Sequence, residues 1–305
     1  MPSIHGQLLH NEPLARYTSF RIGGPADVLI QPAGEDDVVE AIRWAAARRM
    51  PVTVLGKGTN VLVSDKGIRG VTVLIGRSLA GIEISGEELH AGCGAPLMKV
   101  AFRAARAGLT GMEFAEGIPG TLGGAIFMNA GTLLGEVKDC MLDVRAVTLV
   151  GEVVVRTADE LGMVYRASRL CKTREVLLSA RFHLRPASVD EIQATMARMR
   201  ERRHATQPHW DRSAGCVFKN PGDGVSAGRL LDGAGAKGMS VGGAVVSDCH
   251  ANFVVNAGEA TAQDVVALMV KMRDLVRERC GVALVPEVEF VGEWPETPLG
   301  AGEIE

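Results

Sequence analysis

The most constraining stretch of this 305-residue sequence reads Phe114-Ala115-Glu116-Gly117-Ile118-Pro119-Gly120-Thr121-Leu122-Gly123-Gly124-Ala125-Ile126-Phe127-Met128-Asn129-Ala130-Gly131. Four glycines gather around Pro119 and Thr121, and Asn129 closes the short apolar run that follows. Glycine reaches φ > 0 and lets backbone N–H groups approach a ligand with no Cβ in the way. Pro119 stiffens the entry. Thr121 is placed to cap a short helix over 122–128, whose N-terminus would point free N–H donors at an anion. The physical reading is a pyrophosphate cradle, with a tight structural turn as the alternative. A Rossmann dinucleotide turn is the wrong comparison, because it needs a strand running straight into G-x-G-x-x-G and an acidic residue ~20 positions on. Here Pro119 interrupts the loop and the spacing is G-x-x-G-x-x-G-G.

A second glycine loop precedes it by about sixty residues. Val52-Thr53-Val54-Leu55 reads as a buried strand feeding Gly56-Lys57-Gly58-Thr59-Asn60, and Val61-Leu62-Val63 reads as the next strand. Such a loop makes a nest of N–H groups, with the Thr59 and Asn60 side chains as extra donors. A plain hairpin turn is the alternative. Two loops of this kind, each after a βαβ-like segment, favour a large phosphate-bearing cofactor.

Bulk properties narrow the class. The length fits two domains or three small ones. A formal net charge of −3 argues against a nucleic-acid binder, which would show a basic face. No apolar run approaches the ~18 residues of a membrane span, and the N-terminus has no signal-peptide h-region. Cys93, Cys140, Cys171, Cys216, Cys249 and Cys280 are scattered without a C-x-x-C pair. No metal knuckle or disulfide framework is expected, and reduced thiols suit a cytoplasmic protein. Only Cys216 sits in a context that suggests chemistry, and the others read as small buried hydrophobes.

Periodicity orders the rest. Strands are expected over 28–31, 71–75, 82–84, 89–91, 142–149, 153–155, 176–184, 244–246, 253–255 and 282–291. Helices are expected over 35–49, 96–107, 189–203, 227–232 and 262–279, the last beginning at Thr261 and ending at Gly281. Ser188 and Glu191 form a capping-box pattern, and the basic end of that helix (Arg198, Arg200, Arg202, Arg203 and His204) is most simply a solvated last turn, with a place near an anionic ligand as the alternative. Gln207-Pro208-His209-Trp210-Asp211 reads as a linker. The tail over 292–305, rich in Pro, Gly and Glu, is expected to be disordered.

Six segments in this order resemble the UDP-N-acetylenolpyruvoylglucosamine reductases, the MurB family of peptidoglycan synthesis. They are residues 18–27, residues 55–65, residues 117–129, Tyr165-Arg166-Ala167-Ser168, Gly215-Cys216-Val217-Phe218-Lys219-Asn220-Pro221 and Pro286-Glu287-Val288. The glycine loops alone would fit many flavoproteins of the vanillyl-alcohol-oxidase-like fold; the last three motifs narrow the match to this family. The resemblance implies an α+β chain, with a two-subdomain FAD-binding fold (1–76 and 77–206) and a C-terminal α+β substrate-binding domain (207–291). It implies FAD, NADPH as co-substrate, and a UDP-linked amino-sugar enolpyruvate ether as substrate. A monomer without nucleic-acid or membrane partners is expected. The short interval after Arg166 resembles the subgroup lacking an extra tyrosine-bearing loop. Cys216 stands where most members have serine.

By the same resemblance the cofactor contacts are Leu55, Gly56, Lys57, Gly58, Thr59, Asn60, Val61, Gly117, Ile118, Pro119, Gly120, Thr121, Gly123, Gly124, Ala125 and Asn129. Tyr165, Arg166, Lys219 and Asn220 are the substrate contacts, and Arg166, Cys216 and Glu287 the catalytic set. Arg166 suits a carboxylate because its planar fork binds through two hydrogen bonds and stays charged. Cys216 is the expected proton donor, and Glu287 is expected beside the substrate carboxylate in a protonated or hydrogen-sharing form. Without the resemblance, Arg166 and Glu287 read equally well as surface ion-pair partners and Cys216 as a structural thiol. Two other classes remain open: an FAD-dependent oxidase or dehydrogenase of the same broad fold, and a non-catalytic binding protein for a nucleotide-linked ligand.

Overall fold

The structure, a computed structural model, describes residues 2–208, 211–222, 224–295 and 298–300. They form two compact units. The first holds the chain through His10, Val28–Lys57 and Gly70–Arg203; the second holds Asn11–Asp27, Gly58–Arg69 and the chain from His204 onward. Of the expected linker, His209 and Trp210 lie outside the described residues.

One four-stranded sheet, with residues 7–10, 28–31, 70–74 and 52–55 in the first unit, runs in the order Gln7–Pro13, Pro25–Gln31, Ile68–Leu74, Val52–Leu55. The last two strands are parallel, with Val52 opposite Val71 and Leu55 opposite Leu74. The helix Glu35–Ala47 lays Val38, Ala41, Ile42 and Ala45 on this sheet, where they are buried with Val28, Ile30, Val71 and Val73. Those positions recur at i, i+3, i+4 and i+7, one face of a helix. The carboxylate of Asp37 accepts N–H bonds from His5, Gly6 and Ala33 at 2.8–2.9 Å, tying the N-terminal chain to the helix. Gln7–Pro13 was not expected from sequence. As an edge strand ending in proline, with a mostly exposed polar face, it lacks the apolar alternation that announces a strand.

A second, antiparallel sheet of this unit is ordered Val153–Thr157, Met141–Val147, Val176–His183, Glu88–Gly92, Ile82–Ser85. Against it the helix Leu97–Arg106 buries Leu97, Val100, Ala101, Ala104 and Ala105, again a single stripe. Ile192 and Met196 of the helix Val189–Thr206 join the same core, together with Phe114 and Phe182.

The second unit is built on the helix Ala262–Cys280. Thr261 and Asp264 exchange side-chain-to-backbone bonds in a capping box, and Gly281 at φ 69° closes the other end. Asp65 adds two acceptors for the Ala262 and Gln263 N–H groups, at 2.8 and 3.1 Å. Val265, Leu268, Met269, Met272 and Val276 are fully buried, each contributing about 1.5–3 kcal/mol of transfer free energy. The unit also holds a three-stranded sheet, Ser240–Val241, Ala244–Val246, Val254–Asn256, and a parallel pair, Val61–Val63 with Glu289–Val291.

Three expectations need correction here. The strand over 282–291 shrinks to Glu289–Val291, because Pro286 has no N–H for a continuous ladder and only alternate residues pair. The described part of the tail is packed: Ser64 donates to the Glu293 carbonyl at 2.6 Å, and Trp294 stacks edge-on against Phe290. Cys249 and Cys280 are exposed rather than buried, although all six cysteines are free thiols as read. Among the described residues, no helix is long and apolar enough to cross a membrane.

Candidate active site

Of the residues singled out by sequence, Leu55, Gly56, Lys57, residues 117–121, Gly123, Gly124, Ala125, Asn129, Tyr165 and Arg166 lie in the first unit. Gly58, Thr59, Asn60, Val61, Cys216, Lys219, Asn220 and Glu287 lie in the second.

The first unit brings Gly56, at the start of one glycine loop, against Thr121 of the other. A Cβ on Gly56 would stand 2.4 Å from Thr121 Oγ1, so only glycine permits this approach. Gly117 and Gly120 take φ of 73° and 133°, in the region that side chains disfavour. The hairpin alternative for the 56–60 loop is excluded, since Val52–Leu55 pairs with Ile68–Leu74 and Val61–Val63 with Glu289–Val291.

Thr121 caps the helix Leu122–Phe127 as expected, its Oγ1 accepting the Gly124 N–H at 3.3 Å. The expectation of free donors at that helix start fails. The Leu122 N–H goes to the Ala95 carbonyl and the Gly123 N–H to the Cys93 carbonyl, both at 2.8 Å. A group held here is therefore cradled by backbone shape rather than by the helix terminus. The neighbouring basic helix end is also more than a solvated turn. Arg200 bonds the buried Glu116 at 3.0 Å, and a Cβ on Gly117 would stand 2.7 Å from Arg203 Cδ.

Arg166 occupies a tight turn in which Val164 and Ala167 pair across Tyr165 and Arg166. Its φ is 54°, a left-handed conformation that costs a non-glycine residue on the order of 1 kcal/mol and recurs at functional sites. The turn is pinned to the segment following the glycine loop. Asn129, fully buried, donates Nδ2–H to the Val164 carbonyl at 3.1 Å and accepts the Lys138 N–H at 3.1 Å. Ser168 donates to the Phe127 carbonyl at 2.6 Å, and Arg166 Nη2 donates to the Gly131 carbonyl at 3.2 Å. The guanidinium lies 5.1 Å from the Tyr165 ring centroid.

The second unit joins Cys216 to Glu287. Cys216 pairs antiparallel with Phe253, and Phe218 pairs with Pro286 on the other side. The Glu287 N–H donates to the Val217 carbonyl and the Lys219 N–H to the Val285 carbonyl, each at 2.8 Å. Asn60 donates its side-chain N–H to the Glu287 carbonyl at 3.1 Å, so this loop residue also fixes the backbone that carries the carboxylate. Asn220 Oδ1 accepts the Ala227 N–H at 3.0 Å. Gly58, at φ 60°, has room for no Cβ because the Tyr17 carbonyl would be 2.4 Å away, which explains why residues 18–27 travel with this loop.

One residue that sequence reasoning passed over belongs here. Asn252, 2% exposed, accepts the Phe218 N–H at 3.1 Å and donates to the Phe218 carbonyl at 2.8 Å, while its own carbonyl accepts the Val217 N–H at 2.9 Å. An asparagine inside the run Ala251-Asn252-Phe253-Val254-Val255 was the available signal, because a buried amide must find partners.

Comparison with known proteins defines the class first. Residues 26–157 match the family model of an FAD binding domain, and the glycine cradle, closed to any Cβ at Gly56, fits such a group. Residues 207–291 match the model of the UDP-N-acetylenolpyruvoylglucosamine reductase C-terminal domain. Curated relatives of that name include one from Agathobacter rectalis, 46% identical over 94% of this chain and 95% of its own length. Another, from Azorhizobium caulinodans, is 42% identical over 96% and 94%. The crystal structure of the Thermus caldophilus enzyme superposes with a TM-score of 0.80 at 35% identity, covering 94% of this chain and 99% of that one. The chain belongs to the UDP-N-acetylenolpyruvoylglucosamine reductases, FAD-containing oxidoreductases.

Proposed function

We propose that this chain reduces UDP-N-acetylglucosamine enolpyruvate to UDP-N-acetylmuramate with electrons from NADPH, in peptidoglycan precursor synthesis. The observation that carries the residue roles is the short ladder joining the Cys216 and Glu287 segments within one unit. It supports a thiol and a carboxyl acting on the same small group. FAD, when bound, would supply the hydride chemistry that links NADPH to the terminal carbon of the enolpyruvyl double bond.

Arg166 takes the substrate carboxylate in its fork and stabilises the negative charge that develops there and on the adjoining carbon. Cys216 gives its thiol proton to that carbon. An ordinary thiol, with a pKa of ~8.5, is mostly protonated at neutral pH and far more acidic than a serine hydroxyl. One C–H bond forms at each alkene carbon, and the electron pair comes from NADPH. Glu287 assists in a protonated or hydrogen-sharing form, since a second bare carboxylate would oppose the developing charge. Lys219 and Asn220 contact the substrate diphosphate, with Tyr165 beside Arg166. Residues 55–61 and 117–121, with Gly123, Gly124, Ala125 and Asn129, would hold FAD, chiefly through close backbone approach.

The interval between Arg166 and the helix Val189–Thr206, filled by the short helix Leu170–Thr173 and the strand Val176–His183, supports the subgroup without the extra tyrosine loop. Free thiols fit a reducing, cytoplasmic setting, and we assign a monomer there. Anaerobic titration tests the whole reading. NADPH should bleach the bound flavin, and UDP-N-acetylglucosamine enolpyruvate should then restore its absorbance. A flavin reduced by an alcohol substrate and indifferent to NADPH would point to the oxidase class, and a colourless protein that binds the UDP-sugar would point to a binding module.

A further inference from the structure

We infer that Asn252 is a positioning residue for the Cys216 thiol, an inference that rests on Cys216 being the proton donor. Cys216 is half-buried and opens a short bridged segment, bent at Val217, whose next two members, Val217 and Phe218, are fully buried. Three contacts from Asn252 converge on that segment: its side-chain carbonyl on the Phe218 N–H, its side-chain N–H on the Phe218 carbonyl, and its backbone carbonyl on the Val217 N–H. A side-chain amide that satisfies both backbone groups of one residue imitates a neighbouring strand. It does so at the point where the ladder on this side is reduced to the single Cys216–Phe253 pair.

The other edge of the segment is held differently. The Glu287 N–H reaches the Val217 carbonyl and the Lys219 N–H reaches the Val285 carbonyl, but Pro286, opposite Phe218, has no N–H to give. The Phe218 carbonyl thus depends on Asn252 for its donor among the described contacts. Removing the amide leaves a buried N–H and a buried C=O to find new partners two residues from the thiol. The segment would keep its backbone bonds to Asn252, Glu287 and Val285 but lose its hold at Phe218, loosening the backbone that sets the Cys216 side chain. Proton transfer to carbon demands close alignment, and a misplacement on the order of 1 Å costs up to ~10²-fold.

The test uses the FAD-loaded enzyme and its two half-reactions, flavin reduction by NADPH and reoxidation by UDP-N-acetylglucosamine enolpyruvate, read by anaerobic stopped flow. Asn252→Ala should slow reoxidation at saturating substrate by between about tenfold and a hundredfold, with reduction by NADPH and retained FAD unchanged. The decisive readout is coupling. On a Cys216→Ala background the Asn252 substitution should cost nothing further in reoxidation, because the group it positions is already gone. Asn252→Asp, isosteric with the native side chain, carries the same comparison if the alanine variant does not fold. Wild-type reoxidation in the single variant, or an equal loss with and without the thiol, would overturn the inference. If Cys216→Ala itself reoxidised at the normal rate, the proton-donor reading would fail instead, and the two failures are distinguishable.

Discussion

The Arg166 turn and the Cys216 segment solve one problem, holding a reactive side chain still, by opposite means. Arg166 sits in a left-handed conformation at the tip of a turn with exposed Val164 and Tyr165, and side chains from other segments brace it. Cys216 opens a short segment bent at Val217, bridged to Phe253 on one edge and through Phe218 to Pro286 on the other, and its neighbours Val217 and Phe218 are wholly buried. Each is clasped by a buried asparagine, Asn129 in one unit and Asn252 in the other. The turn stores strain and needs bracing. The ladder needs only its missing rung supplied.

The comparison predicts different sensitivities, the largest at the thiol itself. Cys216→Ala should lose ~10²–10⁴ in the substrate half-reaction while NADPH reduction stays near normal, the range expected for a lost general acid. Cys216→Ser should keep substantial activity, because the hydroxyl is nearly isosteric with the thiol and can donate a proton from the same place. Stopped-flow reoxidation checks both, and an alanine variant with an unchanged rate removes Cys216 from the chemistry.

At the turn the largest cost should appear as stability. Asn129→Ala removes the hydrogen bonds to the Val164 carbonyl and the Lys138 N–H, each worth about 0.5–1.5 kcal/mol, and places alanine at φ 45°, where asparagine is favoured. A loss of about 2–4 kcal/mol in urea unfolding is expected, with a raised KM for the enolpyruvyl substrate. An unchanged midpoint would mean that the turn is self-supporting and that the contrast with the ladder is illusory.

What could be read beforehand follows from locality. Thr261, Gly281 and Thr121 were legible because a cap and its helix lie within a few residues, and the apolar stripes of Leu97–Arg106 and Ala262–Cys280 are periodic. The motif residues of the site were legible as chemistry, a guanidinium, a thiol and a carboxyl in recognisable contexts. Their supports were not. Nothing near Leu122 and Gly123 announces that the Ala95 and Cys93 carbonyls take their N–H groups, and nothing near Val61–Val63 names Glu289–Val291 as its parallel partner. The resemblance implies Asn129 as a cofactor contact, and its structural role is silent in the sequence. Only the folded chain shows its amide turned onto Val164.

A smaller effect sharpens the role of the guanidinium. Arg166→Lys keeps the charge but loses the planar fork, and the ammonium cannot hold a carboxylate bidentately. One charge-assisted hydrogen bond is worth about 1.5–3 kcal/mol, so kcat/KM for the enolpyruvyl substrate should fall roughly 10- to 150-fold. The NADPH half-reaction should be spared. A lysine variant as active as wild type would show that the strained turn presents charge alone and that its geometry is incidental.

The smallest effect separates the two clasps by pH. His250 Nδ1 accepts the Asn252 N–H at 3.2 Å, so the fold uses the neutral ring with its proton on Nε2. Burial first, and then the Lys237 charge, hold its pKa below the ordinary 6.5, with Asp232 pulling weakly the other way. The unfolded chain therefore takes up the proton more readily than the folded one. Stability tied to this histidine is fully present above pH 6.5 and drains away as the pH falls through the lowered folded value. His250→Asn keeps an acceptor near the Nδ1 position and removes the titration. Between pH 7.5 and pH 5 the wild-type melting temperature should fall further than that of the variant, by a modest margin because the ring is partly exposed. The Asn129 clasp, whose two partners are backbone groups, supplies no such slope. If both proteins lost stability in parallel, His250 would be a packing residue beside Phe253, and the ladder would owe nothing to its protonation state.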